Sequence, residues 1–197
     1  MAYSMIVISL AVALLLGAWA YPYITGMVLK AKMLRALRKT ASESGFKYRR
    51  SYKNIVLVRN RSPKYDMVIF NEKKLYAVKL WSSYFAYNTL AVTKRGKVSE
   101  HIRTRPVFQT TDSNVVYTRG FEHSVPRTRL PKKYAKGRDV EKILLVYPSY
   151  ESVIVESANG ERKLKTGDEL FEKLLYSPSA FMTRLKSEAP KKEETER

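Results

Sequence analysis

Two segments of this chain carry side chains that could do chemistry together: Pro63-Lys64-Tyr65-Asp66, and one hairpin later Ala77-Val78-Lys79. They offer one carboxylate and one ammonium group. That pair alone is a poor Mg²⁺ site, because such sites usually combine one or two carboxylates with substrate phosphates. Glu72, in the intervening turn, would have to reach back, and Glu43, further upstream, is the other conceivable second acid. Glu100-His101 and Glu122-His123 are adjacent acid–base pairs, but neighbours on a strand point to opposite faces, and both histidines sit in polar segments and read as surface residues. The chain has no cysteine, which excludes disulfides, thiolate metal sites, iron–sulfur clusters and a cysteine nucleophile, and its two histidines argue against a multi-histidine zinc site. There is no Walker A loop, GxGxxG, GxSxG or HExxH. No cofactor is expected and no metal ligands are assigned.

Asp66 and Lys79 need two strands and a turn to bring them together. Tyr65 to Phe70 and Leu75 to Trp81 supply the clearest β signal in the chain, with Asn71-Glu72-Lys73-Lys74 as a hairpin loop. Upstream, Met33, Leu34, Leu37 and Ala41 recur at helical spacing within Lys30 to Ser44, and Gly45 is the natural residue to follow the helix. Phe46 to Lys53 interleaves aromatic and basic residues. That pattern suits base stacking with phosphate contact, but fits an edge strand better.

Asn54 to Val58 is a strand candidate followed by a turn over Arg59 to Pro63, and Asn88 to Thr93 with Lys97 to Thr104 forms a further hairpin around Lys94-Arg95-Gly96. Residues 105–139 show no sustained periodicity and many positive charges, predicting a long loop with short strands near Val115-Val116-Tyr117. Lys142 to Tyr147 is a buried-type strand, and Val153 to Val155 with Arg162 to Leu164 flank the turn signal Asn159-Gly160. Asp168 is predicted to cap a helix with Leu170, Phe171, Leu174 and Leu175 inward. Ser177-Pro178 opens a last helix through Phe181, Met182 and Leu185, and the charged tail from Pro190 has nothing to bury.

The order helix, strand, strand, hairpin, strand, with Asp66 in one strand and Lys79 in the next, resembles the core of the PD-(D/E)xK, or restriction-endonuclease-like, superfamily over about residues 30–90. In that family the Asp and an acidic residue two before the Lys hold a divalent metal, and the Lys helps activate the attacking water. The resemblance therefore implies catalytic roles for Asp66 and Lys79. The acidic position is Ala77 here, and the stretch Asn88 to Thr104 is strand-like where the family usually places a helix. The implied protein is a degenerate relative with a binding or scaffold role.

Residues 5–29 contain no charged side chain, and basic residues follow at once. A run of this length matches the roughly 20 apolar residues that cross a bilayer, with Trp19, Tyr21 and Tyr23 as an interfacial belt. Pro22 suits either a kink or the first turn of the next helix. The flanking Lys30, Lys32, Arg35, Arg38 and Lys39 then place the N-terminus outside and the remainder in the cytoplasm. Ala18-Trp19-Ala20 has the form of a signal-peptide cleavage site, but the absence of Lys or Arg before the apolar run and the basic cluster after it favour an anchor.

Charge is uneven. Residues 30–139 hold 27 basic and 7 acidic side chains and residues 140–197 hold 10 and 11, giving the chain's net +19. The basic part attracts polyanions, either anionic lipid headgroups or nucleic acid.

The sequence thus predicts an α+β protein with a single transmembrane helix. An anchor over 1–29 and a basic juxtamembrane helix over 30–45 precede a hairpin-rich mixed domain over 46–187, with an insertion at 105–139 and a charged tail over 188–197. It would be a single-pass cell-membrane protein without catalysis of its own, binding anionic lipid or another polyanion through Lys30, Lys32, Arg35, Arg38, Lys39, Arg49, Arg50 and Lys53. The alternative is a membrane-tethered, metal-dependent nuclease or its degenerate form that binds nucleic acid. A third expectation is a protein partner, itself unidentified, on the neutral part Val140 to Leu185.

Overall fold

The computed structural model describes residues 2–50, 65–82, 89–104, 115–126, 128–129, 132–147, 150, 152–157 and 160–189. The strand expected at Asn54 to Val58 and the tail from Pro190 lie outside the described residues.

Helix α1 (Ala2–Glu43) is one continuous element of 42 residues, about 63 Å long at the α-helical rise. It ends where Gly45 adopts a left-handed backbone (φ 73°). There the Gly45 and Phe46 amides return to the carbonyls of Ser42 and Ala41 at 3.2 and 2.9 Å, a Schellman stop with Phe46 buried behind it.

Strands β1 (Lys47–Arg50), β2 (Met67–Phe70) and β3 (Lys74–Ser82) form an antiparallel meander. The β2–β3 turn is closed by the Asn71 side chain, whose Oδ1 accepts from the Lys73 and Lys74 amides. β3 is buried on both faces and is continued on its other edge by β7 (Asp139–Tyr147), which runs parallel to it from Lys74↔Asp139 to Ser82↔Tyr147. β11 (Lys173–Tyr176) is parallel to β7, and β10 (Glu169–Leu170) completes the sheet in the order β1-β2-β3-β7-β11-β10. A second, five-stranded sheet joins β4 (Thr89–Val92), β5 (Lys97–Thr104), β6 (Val115–Ser124), β8 (Ser152–Ser157) and β9 (Gly160–Leu164) in the order β6-β5-β4-β8-β9. Short α2 (Lys132–Ala135) and α3 (Pro178–Ser187) complete the described elements.

These make three layers. Leu34, Leu37 and Ala41 of α1 and Phe181 and Leu185 of α3 cover one face of the six-stranded sheet, against Met67, Ile69, Tyr76, Val78, Ile143 and Leu145. On the other face Trp81, Leu144, Val146 and Leu175 pack against Leu90, Val92, Val98, Val153 and Leu164, all in the second sheet. Each large aliphatic or aromatic side chain so enclosed contributes roughly 1.5–3 kcal/mol. α3 opens as its sequence specifies: Pro178 takes the first helical position and the Ser177 Oγ accepts from the Ala180 amide at 3.3 Å.

Two expectations are corrected. The first concerns the membrane. The apolar stretch is not a separate anchor but the first part of α1, which runs on through the basic segment into the core. Among the described residues, no helix is long and apolar enough to cross a membrane. Pro22 lies inside the helix rather than at the start of a second one. The transmembrane helix, the single-pass placement in the cell membrane, the outside N-terminus and the cytoplasmic side drawn from it therefore lack support. The architecture is α+β, dominated by strands.

The second correction concerns the helix predicted after Asp168, which is the hairpin β10–β11. Leu170 and Leu175 face the second sheet while Leu174 turns to the helices, so these leucines satisfy strand alternation as readily as helical spacing. Asp168 caps a turn, its Oδ2 accepting from the Lys165 amide at 3.0 Å.

Candidate functional site

Asp66 stands immediately before β2, and its amide donates to the Val78 carbonyl at 2.9 Å, which sets its carboxylate beside β3. Strand alternation puts Ala77, Lys79 and Trp81 on the face turned away from α1. Asp66 Oδ2 accepts from the Leu80 amide at 2.9 Å and lies 3.4 Å from Lys79 Nζ. The other oxygen, Oδ1, is 2.7 Å from Lys30 Nζ. The carboxylate is fully buried, the Lys79 side chain is 2 % exposed and the Lys30 side chain 23 %. Burial lowers the Lys79 pKa, Asp66 opposes that shift, and the Lys30 charge adds to it.

The two residues singled out for catalysis therefore do meet, and Lys30 joins them. The sequence alone places Lys30 on an outer basic surface. Its spacing holds the contrary signal: Lys30, Leu34, Leu37 and Ala41 follow one another by four, three and four residues, a single helical face.

A divalent metal, as the nuclease resemblance implies, does not fit these residues. The Asp66 oxygens are engaged by two ammonium groups and an amide. Ala77 offers no oxygen where the second acid belongs. Glu72 is exposed at the far end of β2, and Glu43 is exposed and paired with Lys39 on its own helix at 3.8 Å. Among the described residues, no group of three or more His, Cys, Asp or Glu side chains could hold a metal ion. Enclosed in this way, the Asp66 cluster can hold α1 to the β2–β3 hairpin.

The remaining basic candidates lie mostly outside. Lys32, Arg35, Arg38 and Lys39 are exposed on α1, and Arg49 is exposed on β1 with Arg50 half-buried. The Arg38 guanidinium lies over the Tyr48 ring, 5.2 Å from its centroid; Tyr48 pairs with Ile69 on the α1 side of the sheet, so alternation turns Lys47 and Arg49 to the opposite face. Lys53 lies outside the described residues. Glu100 is buried on β5, and the side chains of His101 and His123 lie outside the described set.

A second charged cluster is one that the sequence does not reveal. Glu188, at the end of α3, receives Lys74 Nζ at 2.8 Å, Arg184 Nε at 2.7 Å and the Tyr76 hydroxyl, and Arg184 also reaches Glu141 at 2.8 Å and the Tyr76 and Tyr176 rings. Desolvation opposes ionisation of Glu188, but the donors from Lys74, Tyr76 and Arg184 outweigh it and bring its pKa down to about 2. This cluster fastens α3 to β3 and β7.

Comparison with known proteins finds no protein family, no curated protein and no solved structure that matches the chain.

Proposed function

We propose that this chain is a non-catalytic nucleic-acid-binding protein on a nuclease-like sheet, its polyanion held by the basic surface of α1 and β1. The observation that carries the proposal is the enclosure of Asp66: where the resembling enzymes hold metal, a buried carboxylate is neutralised by Lys30 and Lys79. What supports binding is the row of exposed cations on α1, Lys32, Arg35, Arg38 and Lys39, with Arg38 over the Tyr48 ring of β1. Ammonium and guanidinium groups so placed would meet backbone phosphates and release their counterions, and an aromatic ring can add stacking with an unpaired base.

The test is fluorescence anisotropy of labelled single-stranded and duplex oligonucleotides with the full chain, with heparin as competitor, and gel analysis of the same DNA with Mg²⁺ or Mn²⁺. Binding that resists heparin and leaves the DNA intact is expected. Cleavage that disappears in Asp66→Ala would show an enzyme instead, and the absence of binding would remove the nucleic-acid assignment.

A further inference from the structure

A different part of the six-stranded sheet carries a site that the Asp66 cluster does not use. Leu174 pairs with Ile143 in the parallel β7–β11 ladder, so Lys173 and Lys142 stand side by side one position earlier, on strands about 4.8 Å apart. Both point to the face that carries Ala77, since Lys142 is the register partner of Ala77. Lys173 is 7 % exposed and its Nζ donates to the Phe171 carbonyl at 3.3 Å. No carboxylate among the described residues forms an ion pair with it. Burial and the adjacent Lys142 charge lower its pKa, and the nearby Glu172 carboxylate offsets them only in part.

The turn above this pair is unusual. Phe171 and Glu172 link β10 to β11 with φ of 49° and 60°, left-handed values that a bulky L residue seldom adopts and that cost of order 1 kcal/mol or more each. That turn delivers the Glu172 carboxylate to Lys142 Nζ at 2.6 Å, although the Glu172 side chain is 79 % exposed. One carboxylate answers one of two neighbouring ammonium groups.

We propose that Lys142 and Lys173 form a binding site for a small phosphate-bearing anion, and that Glu172 occupies part of it in the unliganded chain. A phosphate fits because its two negative charges and several oxygens can span both ammonium groups, whereas one carboxylate serves one of them. A small ligand is assigned because Lys173 is almost wholly buried. This site is separate from the α1–β1 surface and does not depend on what that surface binds.

The experiment is calorimetric titration of the full chain with inorganic phosphate, for the wild type, Glu172→Gln and Lys173→Met, with a short oligonucleotide as a second titrant. Phosphate binding is expected in the wild type, about tenfold tighter in Glu172→Gln because the competing charge is gone, and at least tenfold weaker in Lys173→Met. Absence of phosphate binding in both the wild type and Glu172→Gln overturns the proposal, as does equal affinity in those two proteins. If Lys173→Met does not fold, the Glu172→Gln comparison still decides. An oligonucleotide that displaces phosphate from Glu172→Gln overturns the small-anion assignment.

Discussion

Lys30 Nζ lies 2.7 Å from Asp66 Oδ1, so a side chain about two-thirds of the way along α1 is fixed to the start of β2. With Lys79 on the other oxygen, the carboxylate ties α1 to β3 as well as to the start of β2. Removing one member of a buried cluster leaves its partners charged without compensation, whereas replacing a pair by apolar groups can be nearly neutral. Asp66→Ala is therefore expected to lower unfolding free energy by about 3–5 kcal/mol, and the double variant Asp66→Asn/Lys79→Met by clearly less. Urea unfolding of the three proteins measures this. Equal stability of Asp66→Ala and the wild type would remove the structural role.

If α1 and β1 hold nucleic acid, their charges set the salt dependence. Taking away one cation that neutralises a phosphate reduces the slope of log affinity against log salt by about 0.7–0.9. Changing Arg35, Arg38 and Lys39 together to Gln should lower that slope by roughly two to three units and weaken binding to all sequences alike. An unchanged slope would place the polyanion elsewhere.

The Glu188 cluster makes stability depend on acid pH. Its folded pKa of about 2 lies below the ordinary 4.5, so its contribution is complete above 4.5 and disappears as pH falls from there towards 2. Glu188→Gln should thus cost about 1–2 kcal/mol near neutrality, a figure that allows for solvent screening, and progressively less as the medium is acidified. Thermal unfolding across that range tests the sign. A difference that grows in acid would contradict it.

Mg²⁺ and Mn²⁺ at millimolar levels should leave the melting temperature of the wild type unchanged, because a ligand stabilises only by binding the folded state and the Asp66 oxygens are already engaged. A rise that vanishes in Asp66→Asn would reveal a metal site.

Gly45 is held at φ 73° by the two returning amide bonds that end α1. Gly45→Ala should cost about 1 kcal/mol in urea unfolding, with the fold retained. No decrease in stability would mean that the helix end is free to rearrange.

The β2–β3 hairpin, the α1 stop at Gly45 and the start of α3 were legible because each depends on residues close in sequence: Asn71 in its own turn, Gly45 in left-handed backbone, Ser177 before Pro178. The β10–β11 hairpin was not, because its leucines fit two periods and only the ladder with β7 chooses between them. β6 runs well beyond the three residues singled out around Val115, since its partner β5 supplies the order that composition hides. At the site, Asp66 and Lys79 could be paired across a short hairpin. Lys142 and Lys173 could not, because they become neighbours only when β7 and β11 align.

The strand order carries a further consequence. The chain leaves the six-stranded sheet after β3, builds β4 to β6 in the other, returns for β7, leaves again for β8 and β9, and comes back for β10 and β11. The two sheets are thus plaited, and neither can be excised as an autonomous module. The nine-pair ladder between β3 and β7 joins residues on either side of the 83–138 excursion, so loop-closure entropy must be met before this central ladder can form. Such non-local pairing belongs to slow folders on the millisecond-to-second scale, and during that interval the exposed edge of β3 is open to association with other chains.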